Sequence, residues 1–328
     1  MQVGEHNAWR YPAGRWQVCV LVLGVLCLCL LAALLARRDG SGAVPAPPAG
    51  MVALEVATRP PAPAAAPVPV AQPVAEARRR TALPERVVSR RRDFANSTDL
   101  FDFTQQLLPE VRDGDPEATW LLSRAIDECA GYAADPAAFA RDSAVLAGMD
   151  LPASRGMQAA RERVDTRCRR FGPRDGLSLA RVQQLRWQAA RAGGLAAEAE
   201  LLARGQPLSD EPGYSDDLLE RVGRAGDAQA FGALSAAGEV PGWLSMLGHD
   251  VAPQYAPLVW QIVACRMGAE CGPQSPVVTS YCVNGGICSR RPEQGFEEFV
   301  YDAALPRQSA DVVRAAVSTL VERFGGGP

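Results

Sequence analysis

The sequence contains no lysine, and all 34 of its basic residues are arginine. The absence of lysine excludes Schiff-base chemistry, a phosphate-binding P-loop lysine and serine–lysine dyads. Only two histidines occur, His6 near the N-terminus and His249 at a predicted helix end. There is no Gly-x-Ser-x-Gly element, and a histidine at a helix end is typical of a structural cation. The sequence therefore carries no motif of a lysine-dependent or Ser/His/Asp enzyme, and no catalytic residue is predicted.

β-branched residues are sparse relative to Ala, Leu and Arg, and no useful strand-like alternation is found, so the sequence predicts an all-α fold. Helices are predicted near 97–112, 116–132, 136–148, 154–171, 177–192, 195–204, 216–224, 227–237, 242–248, 254–267, 275–283, 294–304 and 309–325. The net charge of −3 gives no reason to expect a nucleic-acid partner. The abundance of Ala, Arg, Gly and Pro is typical of a GC-rich bacterial genome.

One long apolar run occurs, from Val18 to Ala36, with 19 uncharged residues. As a helix it would span about 28 Å, close to the hydrocarbon core of a bilayer. A cleaved signal peptide is the alternative, but its apolar core is usually shorter, at about 7–15 residues. The nearest small-x-small site, Ser41 to Ala43, also lies some distance past the run. The sequence therefore favours an uncleaved single transmembrane helix within residues 17–36.

The rest of the chain divides around this helix. Residues 1–16 are predicted to be a short cytoplasmic tail, and 37–93 a disordered Pro/Ala/Arg-rich linker. Residues 94–328 are predicted to form an α-helical periplasmic domain. The linker ends in an arginine run, Arg78 to Arg92, which we interpret as a flexible, solvated segment. The alternative is that these arginines hold the linker against anionic lipid or polymer.

The cysteines indicate the compartment. Three lie inside the apolar run, and six remain in the domain: Cys129, Cys168, Cys265, Cys271, Cys282 and Cys288. An even number of cysteines in an exported domain predicts disulfide bonds, here three. Paired zinc ligands usually stand two to four residues apart, a spacing that these cysteines lack, so neither a metal nor another cofactor is expected.

The segments "CRMGAEC" and "CVNGGIC" share the motif Cys-x-x-Gly-x-x-Cys. Their central residues, Gly268 and Gly285, are predicted to end helices in the left-handed conformation and to turn the chain back. This reversal predicts the disulfides Cys265–Cys271 and Cys282–Cys288. Cys129 and Cys168 remain, and their helix C-termini would lie at the same end of an up-down-up bundle, so they are predicted to pair.

A second spacing recurs in "GDPEATWLL", "GGLAAEAEL" and "GDAQAFGAL", which share Gly-x-x-x-Ala-x-x-x-Leu. The glycine is expected to end one helix, the alanine to lie where two helices approach closely, and the leucine to fill the core between them. The positions are Gly114, Ala118 and Leu122; Gly193, Ala197 and Leu201; and Gly226, Ala230 and Leu234.

These segments resemble the tetratricopeptide-like repeats, particularly the Sel-like subfamily with its "AGDxxAxxxL" element; compare "RAGDAQAFGAL", Arg224 to Leu234. The two nearest copies start 33 residues apart, close to the 34-residue period of that family. The second half of the Sel-like repeat, with its Gly-rich turn, is absent. The resemblance implies stacked antiparallel helix pairs and a concave surface for protein or peptide partners. The alternative is an ordinary helical domain in which the pattern marks tight turns.

The sequence thus predicts a single-pass protein of the bacterial inner membrane that presents a helical interaction scaffold to the periplasm. Its predicted partners are the membrane and a protein or peptide. An alternative function is hydrolysis of cell-envelope polymers by a carboxylate pair. The candidate acids lie in the Glu297–Asp302 or Asp210–Glu220 regions.

Overall fold

The computed structural model describes residues 83–149, 151–236, 243, 246–248 and 250–325. Every regular element among them is helical and none is a strand, which confirms the all-α prediction for this part of the chain. None of its helices combines the length and the apolar character needed to cross a bilayer. The predicted tail, the predicted membrane helix, most of the predicted linker and both histidines lie outside the described residues.

The helices follow one another through short turns. They are α1 (Glu85–Asn96), α2 (Leu100–Arg112), α3 (Pro116–Ala134), α4 (Pro136–Gly148), α5 (Pro152–Cys168), α6 (Leu179–Arg191), α7 (Leu195–Ala203), α8 (Tyr214–Ala225), α9 (Ala228–Ala233), α10 (Ala256–Arg266), α11 (Pro276–Gly285), α12 (Phe296–Phe299, continued by a π-helical turn, Val300–Ala304) and α13 (Ala310–Gly325). Most bounds agree with the predicted helices to within a few residues.

Side-chain caps define several helix starts. Asp99 precedes α2 and accepts hydrogen bonds from the backbone N–H groups of Phe101 and Asp102, at 3.0 and 3.1 Å. Asp115 and Asp135 cap α3 and α4 in the same way, and each is followed by a proline at the first helical position. The caps satisfy N–H groups that would otherwise lack a partner, and proline loses nothing there because its missing N–H was not needed.

Helix packing forms a continuous row. Helix α2 packs on α3, α3 on α6, α6 on α7, α7 on α9, α9 on α10 and α10 on α13. Helix α5 packs between α3 and α11, and α4 lies outside α5 and contributes no buried residue. The core is most aromatic around α10, where the Trp260 ring lies 6.2 Å from that of Phe231 and 5.9 Å from that of Trp243.

The domain begins earlier than predicted. Residues 85–93, expected to belong to a disordered linker, form most of α1, so the boundary at residue 94 and the solvated arginine run are wrong for this stretch. The physical reason is a set of ion pairs between α1 arginines and carboxylates of the domain, described below. Val87 and Phe94, seven residues apart on one face, are buried beside them.

All three predicted disulfides are confirmed. Cα–Cα distances are 5.4 Å for Cys129–Cys168, 5.5 Å for Cys265–Cys271 and 4.3 Å for Cys282–Cys288. The first pairing is right although part of its reasoning is wrong, because α3 does not end near Cys129 but continues to Ala134. Helices α3 and α5 pack against each other, which brings the two cysteines together without a helix end at Cys129.

The two short disulfides differ in how the chain turns. Gly268 has φ +103°, just beyond the last residue of α10, as predicted. Gly285 is instead the last residue of α11, and its neighbour Gly286 takes the left-handed conformation with φ +70°. The predicted turn is therefore displaced by one residue, because "NGG" offers two glycines and the helix uses the first to extend itself.

Candidate functional site

Three turns with the Gly-x-x-x-Ala-x-x-x-Leu spacing have a common geometry. The glycines Gly114, Gly193 and Gly226 have φ of +81°, +92° and +60°. All three alanines and all three leucines that follow are buried. They are Ala118, Ala197 and Ala230, and Leu122, Leu201 and Leu234. Each turn therefore ends one helix in the left-handed conformation and starts the next helix against the core.

The first two turns are closed by the same kind of backbone hydrogen bond. The N–H of Asp115 donates to the carbonyl of Glu110, and the N–H of Gly194 donates to that of Ala189, both at 2.9 Å. These are the six-to-one hydrogen bonds of a Schellman motif. The third turn has the simpler five-to-one bond, from Gly226 to Val222 at 3.0 Å. The turns thus differ in the hydrogen bond that closes them, but in all three the next helix begins against the core.

Two of the three turns place an aspartate at the start of the next helix. Asp115 accepts a hydrogen bond from the N–H of Ala118 at 2.8 Å. Asp227 accepts from the N–H groups of Gln229 and Ala230, at 2.9 and 3.1 Å. The second turn has Gly194 instead, which offers no side chain. The caps at Asp115 and Asp227 therefore carry negative charge at two helix starts, and α1 contacts both of them.

Arg91 of α1 is the central contact. Its guanidinium forms one bidentate pair with Glu117, both distances 2.8 Å, and a second with Asp227, at 2.5 and 3.1 Å. The Arg91 side chain is only 11% exposed and that of Asp227 only 3%. Burial opposes the Arg91 charge, but the hydrogen bonds to the two carboxylates outweigh it and hold its pKa above the ordinary value. One arginine thus joins α1, α3 and the start of α9.

Two further arginines extend this contact. Arg86 lies 3.2 Å from a carboxylate oxygen of Asp115, and Arg90 pairs with Glu110 on α2. We use the name α1 groove for the surface that receives the helix. It is formed by four carboxylates and one aromatic side chain: Glu110, Asp115, Glu117, Asp227 and Phe103.

The C-terminal end of α1 is held differently. Phe94 is buried with its ring centroid 5.7 Å from that of Phe103. Arg167 of α5 donates to the carbonyls of Phe94, Ala95 and Ser97, and also to the carboxylate of Glu128. Because the last carbonyls of a helix lack partners within the helix, Arg167 caps α1 and ties it to the disulfide-bonded pair α3 and α5.

Further arginines lie beneath this end of α1. Arg186 is 3% exposed and lies 2.7 Å from Asp127 and 3.2 Å from Glu200. Arg124 stands 5.5 Å from the Trp120 ring centroid and 5.9 Å from that of Phe94. Burial lowers the pKa of Arg124, the attraction of Glu200 only partly offsets it, and the nearby cation Arg186 lowers it further. Phe94 therefore lies against the Arg124 guanidinium, and Trp120 lies between Arg124 and Arg186, 5.5 and 5.8 Å from the two groups.

A separate polar network joins α7 and α8. The Glu198 carboxylate accepts from both terminal nitrogens of Arg221, at 2.6 and 2.9 Å, and from the Tyr214 hydroxyl at 2.6 Å. Burial disfavours the charged carboxylate, but the hydrogen bonds from Arg221 and Tyr214 prevail and lower the pKa of Glu198. Burial and the bond to Glu198 raise the pKa of Tyr214 to about 12. This network joins α7 to α8, and none of its three residues lines either of the two clefts described below.

The acids of the Glu297–Asp302 region are engaged by neighbouring side chains, whereas two acids of the Asp210–Glu220 region line one cleft. Glu297 is bound by Arg266 at 2.7 Å, and Asp302 accepts from the Gln294 amide at 3.1 Å. Asp216 and Glu220 line an open cleft of about 280 Å³ with Leu219, Met246, Arg323 and Phe324. A second cleft, of about 310 Å³, lies at the turn from α3 and before α6, lined by Ala133, Ala134, Gly172, Pro173, Gly176, Leu177 and Ser178. Within the described residues, neither cleft is lined by acids from two different helices.

No family model, curated protein or solved structure matches the chain. Across the residues that the structure describes, no three His, Cys, Asp or Glu side chains converge in a way that could hold a metal ion. The geometry of the α1 groove therefore has to be interpreted from its own chemistry.

Sequence reasoning located the three turns but missed the α1 groove. The missed signal lies in "ERVVSRRRDFAN", where arginines at positions 86, 90 and 91 accompany Val87 and Phe94. The spacings of four and seven residues are helical, and they could have placed the arginines beside an apolar stripe. Their carboxylate partners stand 20 to 136 residues further along the chain, so no local pattern could identify them.

Proposed function

We propose that this protein is a single-pass protein of the bacterial inner membrane whose helical domain serves in the periplasm as a docking scaffold for protein or peptide segments. One observation carries the proposal: the domain already holds a helical segment, α1, on a groove made of carboxylates and one aromatic side chain. A surface that binds a helix through side chains at the start of two helices is suited to recognise helical segments.

Two further features support this function. Three disulfides suit an oxidising compartment such as the periplasm. The apolar run at residues 18–36 has the length of a membrane-spanning helix, and the Pro/Ala-rich segment after it suits a spacer. The likeness of the three turns to Sel-like repeats favours the same role, since that family presents helix pairs to protein partners.

Site-specific photocrosslinking in cells tests the proposal. A photoreactive amino acid at Asp113, exposed in the turn that leads into Asp115 of the α1 groove, should give defined protein adducts. The same residue placed at Arg181, exposed near the start of α6, is the control. We expect adducts at position 113 that are absent at position 181. Identical adduct patterns at both positions would contradict a scaffold that uses this surface.

A topology reporter tests the compartment separately. A periplasm-dependent reporter fused after Pro328 should be active, and a cytoplasm-dependent reporter at the same place should be silent. The reverse pattern would contradict both the proposed location and the reason given for the disulfides.

A further inference from the structure

Helix α1 is attached to the domain mainly by charge. Of its 12 residues only Val87 and Phe94 are buried. Its other contacts to the α1 groove come from guanidinium groups that reach across to carboxylates on α2, on α3 and at the start of α9. Salt weakens the most exposed of these contacts, Arg86–Asp115, whereas the buried pairs of Arg91 gain little beyond their own desolvation cost, part of which is recovered when they open to water. The net free energy that holds α1 on the domain is therefore small.

Removing α1 would leave the side chains of the α1 groove without the partners they have on α1. The four carboxylates Glu110, Asp115, Glu117 and Asp227 would lose their arginine partners, and the Phe103 ring would lose Phe94. A suitable occupant must be a helix with guanidinium groups at positions i, i+4 and i+5 and an aromatic ring at i+8. This is the pattern of Arg86, Arg90, Arg91 and Phe94.

We propose that the α1 groove also binds α1 of a second copy, so that two copies associate by exchanging this helix. The inference rests on the proposed function, because the exchanged helix would be a helical segment docked on the same α1 groove. The exchanged helix fits the groove of the second copy because it makes there the same contacts that α1 makes within one chain. Domain exchange of this kind needs no new interface beyond the one that each chain already has.

The connections on both sides of α1 allow the exchange. Ser97 and Asp99, between α1 and α2, both have extended backbone conformations (ψ 130° and 97°), so changes there can swing α1 away without unwinding α2. Before α1, the sequence of residues 37–84 is rich in proline, and 48 residues at about 3.1 Å each would reach about 150 Å if extended. That reach exceeds the diameter of a small domain.

A charge-swap complementation experiment tests the exchange on the full-length chain in detergent. Arg91→Glu damages α1 and leaves the groove intact, whereas Glu117→Arg damages the groove and leaves α1 intact. Each variant alone should release its own α1, so that α1 amide protons exchange at least about ten-fold faster than in the unmodified chain while α3 amides do not change. An equimolar mixture should form a heterodimer, because the intact α1 of one chain fits the intact groove of the other.

The heterodimer is detected by energy transfer between fluorophores fused to the C-termini, at concentrations too low for shared micelles. Protection of the unmodified α1 sequence should return in the mixture. A mixture of Arg181→Glu with Glu117→Arg is the matched control; Arg181→Glu keeps its own α1 bound, so little transfer is expected. Release of α1 in both variants without energy transfer in the mixture would overturn the proposal. Failure of Arg91→Glu to release α1 would overturn it too.

A measurement on the unmodified chain covers the case in which a variant does not fold. Donor- and acceptor-labelled chains are mixed, unfolded together in urea with their disulfides intact so that α1 is released, and returned to buffer without urea. Energy transfer that rises with protein concentration after this cycle supports exchange, and its absence refutes it. The crosslinking test of the scaffold function can succeed when exchange fails, so the two failures are distinguishable.

Discussion

Helices α1 and α10 have similar lengths, 12 and 11 residues, yet opposite kinds of contact hold them in the fold. Helix α10 buries seven side chains, among them Trp260, Ile262 and Val263. Helix α1 buries two and otherwise depends on arginine–carboxylate pairs. The burial of a large apolar side chain contributes roughly 1.5–3 kcal/mol, whereas a buried ion pair often gains little beyond the cost of its own desolvation.

The two kinds of contact contribute different properties, stability in α10 and specificity in α1. Apolar burial gives α10 its stability, and that stability depends little on salt. The charged contacts give α1 its position and its choice of partner, because a bidentate guanidinium accepts few other geometries. The same domain can therefore combine a permanent core with a helix that can be exchanged. The predictions below test each side of this comparison.

The largest effect is expected in the core. Trp260→Ala should lower the free energy of unfolding by about 3–5 kcal/mol, because it removes a fully buried ring that contacts two other aromatic side chains. Equilibrium urea unfolding followed by far-ultraviolet circular dichroism measures this loss. It should be equal at low and high salt, and Trp260→Phe should recover much of it. A strongly salt-dependent loss would contradict the assignment of α10 to the apolar core.

The disulfides, like α10, belong to the permanent part of the fold. The length of the loop that each one closes predicts how much it contributes to the free energy of unfolding. Cys129→Ala/Cys168→Ala opens a loop with a separation of 39 residues and should cost about 4 kcal/mol in the chain-entropy model. Cys265→Ala/Cys271→Ala opens a separation of 6 and should cost about 2 kcal/mol. Urea unfolding of the two double variants gives the ranking. Equal losses would show that native-state contacts rather than loop length determine the contribution.

The next prediction concerns α1 itself. Arg91→Ala leaves Glu117 and Asp227 without their partner, a change that costs several kcal/mol when both sides stay buried. Here α1 can detach and let water reach the carboxylates, which limits the expected cost to about 1–2 kcal/mol, on the order of a few partly buried charged contacts. Hydrogen exchange should show faster α1 amides and unchanged α10 amides. A larger, global loss would show that α1 is an integral part of the core.

The polar network between α7 and α8 is expected to make the stability of the domain depend on pH. The pKa of Glu198 is lowered in the folded state, so its contribution is present above the ordinary glutamate pKa and is lost as pH falls through the lower folded value. We expect the melting temperature to drop below about pH 4, and Glu198→Gln to weaken this dependence. The pKa of Tyr214 is raised to about 12, so stability should also fall between pH 10 and 12, and Tyr214→Phe should remove that loss.

The sequence was sufficient for features that depend on local rules. Helix periodicity located most helices of the described region, and the Cys-x-x-Gly-x-x-Cys motif located two disulfides. It failed where distant charges decide the outcome. Composition alone places the "SRRR" of residues 89–92 in a solvated linker, but Glu117 and Asp227, 26 and 136 positions after Arg91, make part of it a buried contact. Such pairings follow from the fold and leave no local pattern.

The smallest predicted effect concerns the end of α11, whose last turn is joined by a disulfide to the chain that follows it. Gly286 has φ +70°, and a Cβ added there would meet nothing within 4 Å, so Gly286→Ala should cost about 1 kcal/mol through backbone strain alone. Gly285 is the last helical residue and has equally free space, so Gly285→Ala should instead stabilise the protein by about 0.4–1 kcal/mol. Thermal unfolding of the two variants gives opposite shifts. Reversed signs would place the left-handed turn at Gly285, the residue that the motif alone predicts.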